Sequence, residues 1–248
     1  MTERLNNCLT ARWPALPRVR TCITTRAGDT SEAPWDGFNL AAHVGDDTDT
    51  VAANRAQLQQ QLGCQPAWLQ QSHSTRVVAA DPQHEADADA SWTATPGVAC
   101  AVLTADCLPV LLTTTGADRV AAAHAGWRGL ADGVLENTLA ALEVPGDQIL
   151  AWLGPAIGPQ AFEVGEELVE AFVSQDASAW QAFEETSSEG KYLANIYQLA
   201  RLRLKAAGVK HIYGGDLCTF SDQQRFYSYR RDGETGRMAS LIWLADDQ

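Results

Sequence analysis

The sequence predicts a mixed α/β fold of the α+β class, and three observations carry that prediction. Apolar residues make up 46% of the 248 positions, enough to bury a full core. Short apolar runs with strand character are separated by segments whose apolar residues recur at helical spacing. The two kinds of segment alternate irregularly, which favours mixed α/β layers.

In chain order, the apolar run at 22–24 reads as the first strand, and Val51, Leu58 and Leu62 then share one face of a helix. Strands follow at 68–70, 98–103, 110–113 and 120–123. Leu135, Leu139 and Leu142 define a second helix, 149–153 a strand, and Leu168 with Phe172 a third helix. Ile196, Leu199, Leu202 and Ala206 give a fourth helix before a strand at 212–213. The segments 225–230 and 237–244 flank a polar, Gly-containing stretch and read as a closing β-hairpin. Residues 81–90, 174–191 and 231–236 have loop composition, and none resembles a flexible interdomain linker.

Eighteen Lys and Arg stand against 31 Asp and Glu, a formal net charge of -13. That balance argues against a nucleic-acid backbone or an anionic membrane as partner, and an anionic substrate needs a local basic pocket. Residues 1–16 lack the apolar core of a signal peptide, and no segment approaches the roughly 20 apolar residues of a membrane helix, so a cytoplasmic protein is expected. Six cysteines, at 8, 22, 64, 100, 107 and 218, are expected as reduced thiols. No C-x-x-C pair occurs, so any metal must be gathered from distant parts of the chain.

Asp106 and Cys107 lie between two apolar runs, just before Pro109, where a strand breaks. Taken alone, Cys107 fits a packed thiol as well as a ligand. Seventeen positions later a run of small apolar residues ends in His124, followed by Gly126, Trp127, Arg128 and Gly129. That is the placement of an active-site side chain on a loop held by a rigid scaffold, although a core histidine fits too. His73 likewise stands between two short apolar stretches. Three soft or borderline ligands at strand ends fit zinc with an open fourth position.

The chain resembles the laccase-domain or YfiH-like proteins, also called the multicopper polyphenol oxidoreductase family. The resemblance runs nearly end to end. Its marks are Thr24-Thr25-Arg26, Phe38-Asn39-Leu40, His43-Val44-Gly45-Asp46, Asn54-Arg55, the stretch with Gln71 and His73, and Asp87-Ala88-Asp89. They continue with Thr104-Ala105-Asp106-Cys107-Leu108-Pro109, His124-Ala125-Gly126-Trp127-Arg128-Gly129, Gly154-Pro155-Ala156-Ile157-Gly158, Cys218-Thr219, Tyr227-Ser228-Tyr229-Arg230-Arg231 and Thr235-Gly236-Arg237. The resemblance implies one domain over 1–248 with α/β/β/α layers and mixed sheets. It also implies zinc held by His73, Cys107 and His124, with copper as a possible substitute. Family members are credited with phosphorolysis of adenosine, inosine, guanosine and methylthioadenosine and with adenosine deamination. The implied partners are a nucleoside and inorganic phosphate, with the chain a monomer or homodimer. Copper-dependent phenol oxidation and editing of peptidoglycan precursors are also attached to the family. Two departures stand out: Ser72-His73-Ser74 replaces the usual Val-His-Gly, and Asn195 stands where Asp is common.

Deamination suits the metal, because zinc lowers the pKa of its water towards about 7. Asp106 is then the nearest carboxylate for proton transfer, or else it orients the loop. Phosphorolysis needs an anion pocket, for which Arg26, Arg55, Arg128 and Arg230 are candidates, Arg128 foremost. Asn39 is a further candidate substrate contact, and His43 a substrate contact or acid/base. His84 and His211 are expected to be solvated or structural. Cys107 and His124 could instead act as nucleophile and base for amide hydrolysis without metal. A laccase-type copper cluster needs more histidines than the five present. A closed site with four protein ligands would point to a non-enzymatic binding module.

Overall fold

The computed structural model describes residues 7–28 and 30–246; of the segment 1–16 discussed above, residues 1–6 lie outside the described residues. In chain order, β1 (Cys8–Leu9) and β2 (Val19–Thr24) precede α1 (Thr48–Leu62). Five short strands follow: β3 (Gln65–Ala67), β4 (Leu69–Gln70), β5 (Val77–Ala79), β6 (Ala86–Asp87) and β7 (Ala90–Thr93). Then come the long strands β8 (Val98–Thr104), β9 (Leu108–Thr114) and β10 (Val120–Ala125), and the helices α2 (Trp127–Asp132) and α3 (Val134–Ala141). The rest is β11 (Ile149–Leu153), β12 (Glu163–Gly165), α4 (Glu166–Val173), β13 (Phe183–Glu185), β14 (Lys191–Ala194), α5 (Ile196–Ala206), β15 (His211–Gly214), α6 (Tyr229–Asp232) and β16 (Met238–Leu244).

Two mixed sheets form the centre. One has the order β1-β2-β16-β8-β3 and the other β15-β11-β9-β10-β7-β5, with β3 and β8, β11 and β15, and β5 and β7 running parallel. Of their inner strands, β9, β10 and β16 are buried along their whole length and β8 at all but its first residue, which is why they read as continuous apolar runs. Successive side chains on a strand point to opposite faces, so each strand serves two interfaces. Cys100, Val102 and Ile242 of the first sheet meet Leu111, Val120 and Trp152 of the second between the sheets. On the first sheet's other face, Ala101, Leu103 and Leu241 pack against Leu58 of α1. On the second sheet's other face, Val110, Ala123 and Ala151 pack against Leu135, Leu168 and Leu204 from α3, α4 and α5. The layers therefore run α/β/β/α.

Local chemistry sets the helix ends. The Asp47 side chain accepts the Thr50 N–H at the start of α1, and Gly63 ends it at φ 64°, a left-handed conformation that costs glycine little. Asn195 caps α5 by accepting the Gln198 N–H at 3.1 Å. Asn and Asp are equivalent caps, so this departure from the family pattern leaves the helix start intact.

Two expectations fail. The closing hairpin does not form: residues 229–232 make α6, capped by Ser228, and β16 pairs instead with β2 and β8. A strand as apolar as β16 is most stable with partners on both sides, and those partners come from distant parts of the chain. Cys8 and Cys22, expected as free thiols, form a disulfide, because antiparallel pairing of β1 with β2 brings their Cα atoms to 5.7 Å. Cys64, Cys100, Cys107 and Cys218 are free. Among the described residues, no helix is long and apolar enough to cross a membrane.

Candidate metal centre

Strand register builds the site. Residues 105–107 cross from β8 in one sheet to β9 in the other. In the β9–β10 ladder Leu108 lies opposite Ala125 and Pro109 opposite His124, so Cys107 emerges beside Gly126 at the end of β10. The neighbouring β7 begins at Ala90, opposite Ala123, which sets Asp89 beside His124; the His124 N–H donates to the Asp89 carbonyl at 2.7 Å. The loop 71–76 brings the third residue. Gln71 fixes it to β8 by accepting the Leu103 N–H at 2.7 Å and donating to the Leu103 carbonyl at 2.8 Å.

One ligand atom each from His73, Cys107 and His124 lie within 4.8 Å of one another, and the Cys107 Sγ is 3.6 Å from His73 Nε2. Around tetrahedral zinc, with sulfur at about 2.3 Å and nitrogen at about 2.0–2.1 Å, such ligand atoms sit about 3.5 Å apart. The trio's spacing and its sulfur–nitrogen chemistry fit zinc, and fit copper as a competitor. Among the described residues, no other group of three or more His, Cys, Asp or Glu side chains is placed to hold an ion.

Asp89, which the motif reading noted without assigning to the site, is fully buried at 0% exposure. Its carboxylate accepts the backbone N–H groups of Ser72 (3.1 Å), His73 (3.0 Å) and Ser74 (2.6 Å) and the Ser74 hydroxyl (2.8 Å). These bonds hold His73 at φ 62°, which a non-glycine residue rarely adopts unaided. Asp89 also lies 2.7 Å from His124 Nδ1. Burial works against its charge, but the bonds from His124 and Ser74 hold its carboxyl down to about 2. An ionised carboxylate needs a donor, so Nδ1 carries the proton and Nε2 is left as the ligand atom. Ser74 is thus more than a departure from the family's glycine, since its hydroxyl adds a donor to Asp89.

Burial would raise the Cys107 thiol, yet His124 and His73 beside it outweigh that and bring it down to about 6. Burial likewise disfavours charge on His124, which is 4% exposed, but the neighbouring Cys107 and Asp89 raise its pKa. Cys64 and Cys100, buried without such neighbours, are pushed up to about 12. Space is equally specific: a Cβ on Gly126 would lie 2.4 Å from His73 Cδ2 and 3.2 Å from the Cys107 Sγ.

Two adjoining cavities open on the trio. The smaller, about 300 Å³, is lined by His43, Gln71, His73, Cys107, His124, Tyr229 and Arg237. The larger, about 440 Å³, shares Ala105, Cys107 and Tyr229 with it and adds Asp106, Arg128, Phe162, Glu163, Glu167, Lys191 and Arg230 among others. Asp106 is nearly buried at φ 97°; its carboxylate accepts the Thr219 hydroxyl (2.6 Å), the Ser228 hydroxyl (3.0 Å) and the Arg230 N–H (2.7 Å). His43, exposed on the smaller cavity, has its pKa lowered by partial burial and by Arg237 and Arg55, against Glu85.

The arginines divide. Arg128 stacks over Trp127 at 4.4 Å, and Arg230 donates to the Glu163 carbonyl at 2.9 Å. Arg26 pairs with Asp36 and lies over Tyr227, in a different depression. Arg55 pairs with Glu85 and donates to the Leu40 carbonyl at 2.9 Å, and neither it nor Asn39 lines the two cavities. Asn39 is buried, donates to Asp46 at 2.9 Å and accepts the Arg237 N–H at 2.9 Å. Arg237 and Tyr229, both inside quoted motifs, went unassigned because their approach to Cys107 is made by the fold.

Comparison with known proteins agrees with this architecture. The family model described as multi-copper polyphenol oxidoreductase laccase matches residues 20–245. The chain is 57% identical over 242 residues to a purine nucleoside phosphorylase of Pseudomonas aeruginosa, covering 98% of this chain and 100% of that one. It is 50% identical over 244 residues to the purine nucleoside phosphorylase YfiH of Escherichia coli, covering 97% and 100% respectively. The crystal structure of a Neisseria meningitidis protein of the DUF152 family superimposes with a TM-score of 0.94 at 53% identity, covering 97% of this chain and 100% of that one. With a family model matched over most of its length and relatives this similar, the chain belongs to the multi-copper polyphenol oxidoreductase laccase family.

Proposed function

We propose that the chain is a zinc-dependent purine nucleoside phosphorylase acting on adenosine, inosine, guanosine and methylthioadenosine, with adenosine deaminase activity at the same centre. The observation that carries this reading is the His73–Cys107–His124 trio, opening on cavities large enough for a nucleoside. The names of the relatives above support it. Zinc held there supplies a Lewis acid and lowers the pKa of a water towards about 7. His73, Cys107 and His124 would hold the ion, with Asp89 fixing the His124 ring and the His73 backbone.

In phosphorolysis a phosphate oxygen bonds to ribose C1′ while the glycosidic C–N bond breaks. Its electron pair leaves with the purine nitrogen, which takes up a proton. Arg128 and Arg230 face the larger cavity, and the exposure and lowered pKa of His43 support a role for it in proton exchange. For Asp106 the three donors on its carboxylate favour the orienting role: it ties the Cys107 turn to the loops carrying Thr219, Ser228 and Arg230. The enzyme is read as cytoplasmic, a monomer or homodimer. The test incubates metal-analysed protein with inosine and adenosine, with and without phosphate, and follows the bases by chromatography. Phosphate-dependent free base, lost in Cys107→Ala, is expected; no such base, with Cys107→Ala unchanged, refutes the reading.

One observation favours a second reading. Cys107, His124 and Asp89 form a thiol, base and orienting carboxylate in line, with the thiol brought down to about 6, the arrangement of a cysteine amidase. Activity on peptidoglycan-precursor amides that survives chelation would select it.

A further inference from the structure

We propose that inorganic phosphate binds in the smaller cavity, on the guanidinium of Arg237 with His43 lining the same space, while base and ribose occupy the larger cavity. This rests on the phosphorylase reading. It replaces Arg128 with an arginine that motif position alone does not single out.

The first argument is charge. In a chain of net charge -13, a phosphate dianion is repelled by most of the surface. The larger cavity offers Arg128, Arg230 and Lys191 but also Asp106, Glu163 and Glu167, so its cations are offset by as many acids. No carboxylate lines the smaller cavity, where Arg237 and His43 face the ligand trio.

The second argument is the state of Arg237. Arginines 26, 55, 119, 203, 225 and 231 each pair with a carboxylate. Arg237 is half-buried and, like Arg128 and Arg230, forms no such pair among the described residues, but it alone of these three lies in a cavity that no carboxylate lines. Its side-chain bonds run from Nη1 to the carbonyls of Thr235 (2.7 Å) and Gly236 (3.0 Å), and among the described residues no acceptor takes the Nε–Nη2 edge. Two parallel N–H donors on a rigid plane match two oxygens of phosphate. The buried Asn39 holds its backbone, which turns Asn39 from a candidate contact into a positioning residue. A guanidinium partly withdrawn from water with no carboxylate paired to it is unfavourable, and phosphate relieves that.

The third argument is what remains for the nucleoside. Tyr229, 61% exposed, lies on both cavities; the Arg237 guanidinium sits 5.8 Å from its ring centroid, and the ring's remaining exposed surface suits a purine. Glu163 and Glu167 can accept hydrogen bonds from ribose hydroxyls, whereas their charge repels a phosphate dianion. The competing role for Arg237 is structural: burial works against its charge and lowers its pKa, and Cys107 and Asp106 nearby partly offset that.

Equilibrium dialysis of radiolabelled inorganic phosphate against holoenzyme decides between them, using wild type, Arg237→Gln, His43→Glu and Arg128→Glu, with inosine binding measured in parallel without phosphate. Arg237→Gln and His43→Glu are expected to weaken phosphate binding on the order of tenfold or more while inosine binding changes less than about twofold. Arg128→Glu is expected to leave phosphate affinity within about twofold, since it lies on the other cavity. No phosphate binding by wild type, or a loss in Arg128→Glu that His43→Glu does not match, overturns the assignment. If Arg237→Gln does not fold, the exposed His43→Glu alone decides. Arg237-dependent phosphate binding without base release from inosine keeps the subsite and removes the phosphorylase reading. Phosphate-dependent base release whose KM for phosphate is unchanged in Arg237→Gln does the reverse.

Discussion

Asp89 accepts five hydrogen bonds, from three consecutive backbone N–H groups, the Ser74 hydroxyl and the His124 ring, and so sets both histidine ligands at once. Outer partners of this kind typically carry about 10–100-fold in metal affinity. Asp89→Asn is therefore expected to weaken metal binding by about that factor in a chelator competition, and unchanged affinity contradicts the assignment. The pH dependence has a definite sign. The carboxyl is depressed from 3.8 to about 2 in the folded protein, so its stabilisation is present above pH 3.8 and is lost as pH falls through about 2. Metal-free wild type is expected to exceed Asp89→Asn in stability at neutral pH, with the gap closing over that acid window in denaturant titrations. The thiols divide in the same local way. In chelated protein, iodoacetamide followed by peptide mass mapping should find Cys107 modified well before the buried Cys64 and Cys100. Asp89 and Arg237 escaped the sequence reading because acidic and basic residues in motifs are commonplace; burial without a charge partner, or with many donors, is visible only once the chain is folded.

Among the elements, the inner strands were legible because burial on both faces leaves apolar runs with no competing interpretation, as at Val98–Thr104 and Val120–Ala125. The helices were legible from spacing, and Leu58 on α1 does pack on the sheet. The closing hairpin was misread because Phe226 and Tyr227 are apolar for a different reason: they fill a small core under the Cys107 turn with Ala105 and Met238. Leu58→Ala, at 0% exposure, is expected to cost about 2–5 kcal/mol in chemical unfolding. Gly126→Ala is a contrasting probe at the β10–α2 junction. Its Cβ would collide with His73, so metal affinity should fall in a chelator titration while the unfolding midpoint of the metal-free protein moves little. A large loss of stability with metal affinity retained would show that Gly126 serves the turn and not the ligands.

For the whole molecule, the arrangement of layers explains why three ligands so far apart in sequence meet. The chain crosses from one sheet to the other at residues 105–107, β10 ends beside that crossing, and β7 lays Asp89 between the two histidine-bearing segments. The layer order was implied by family resemblance; composition and periodicity alone stopped at mixed α/β layers. The metal trio too came from residue types joined to that resemblance, and the ladder register now supplies its physical cause. The central claim, a single metal ion on His73, Cys107 and His124 with a position left open, is tested most directly by cobalt substitution. One cobalt per chain is expected, with a sulfur-to-metal absorption band that vanishes in Cys107→Ser and visible bands that shift when a small anion is added. A cobalt spectrum indifferent to Cys107, or one that no added anion can perturb, contradicts the account.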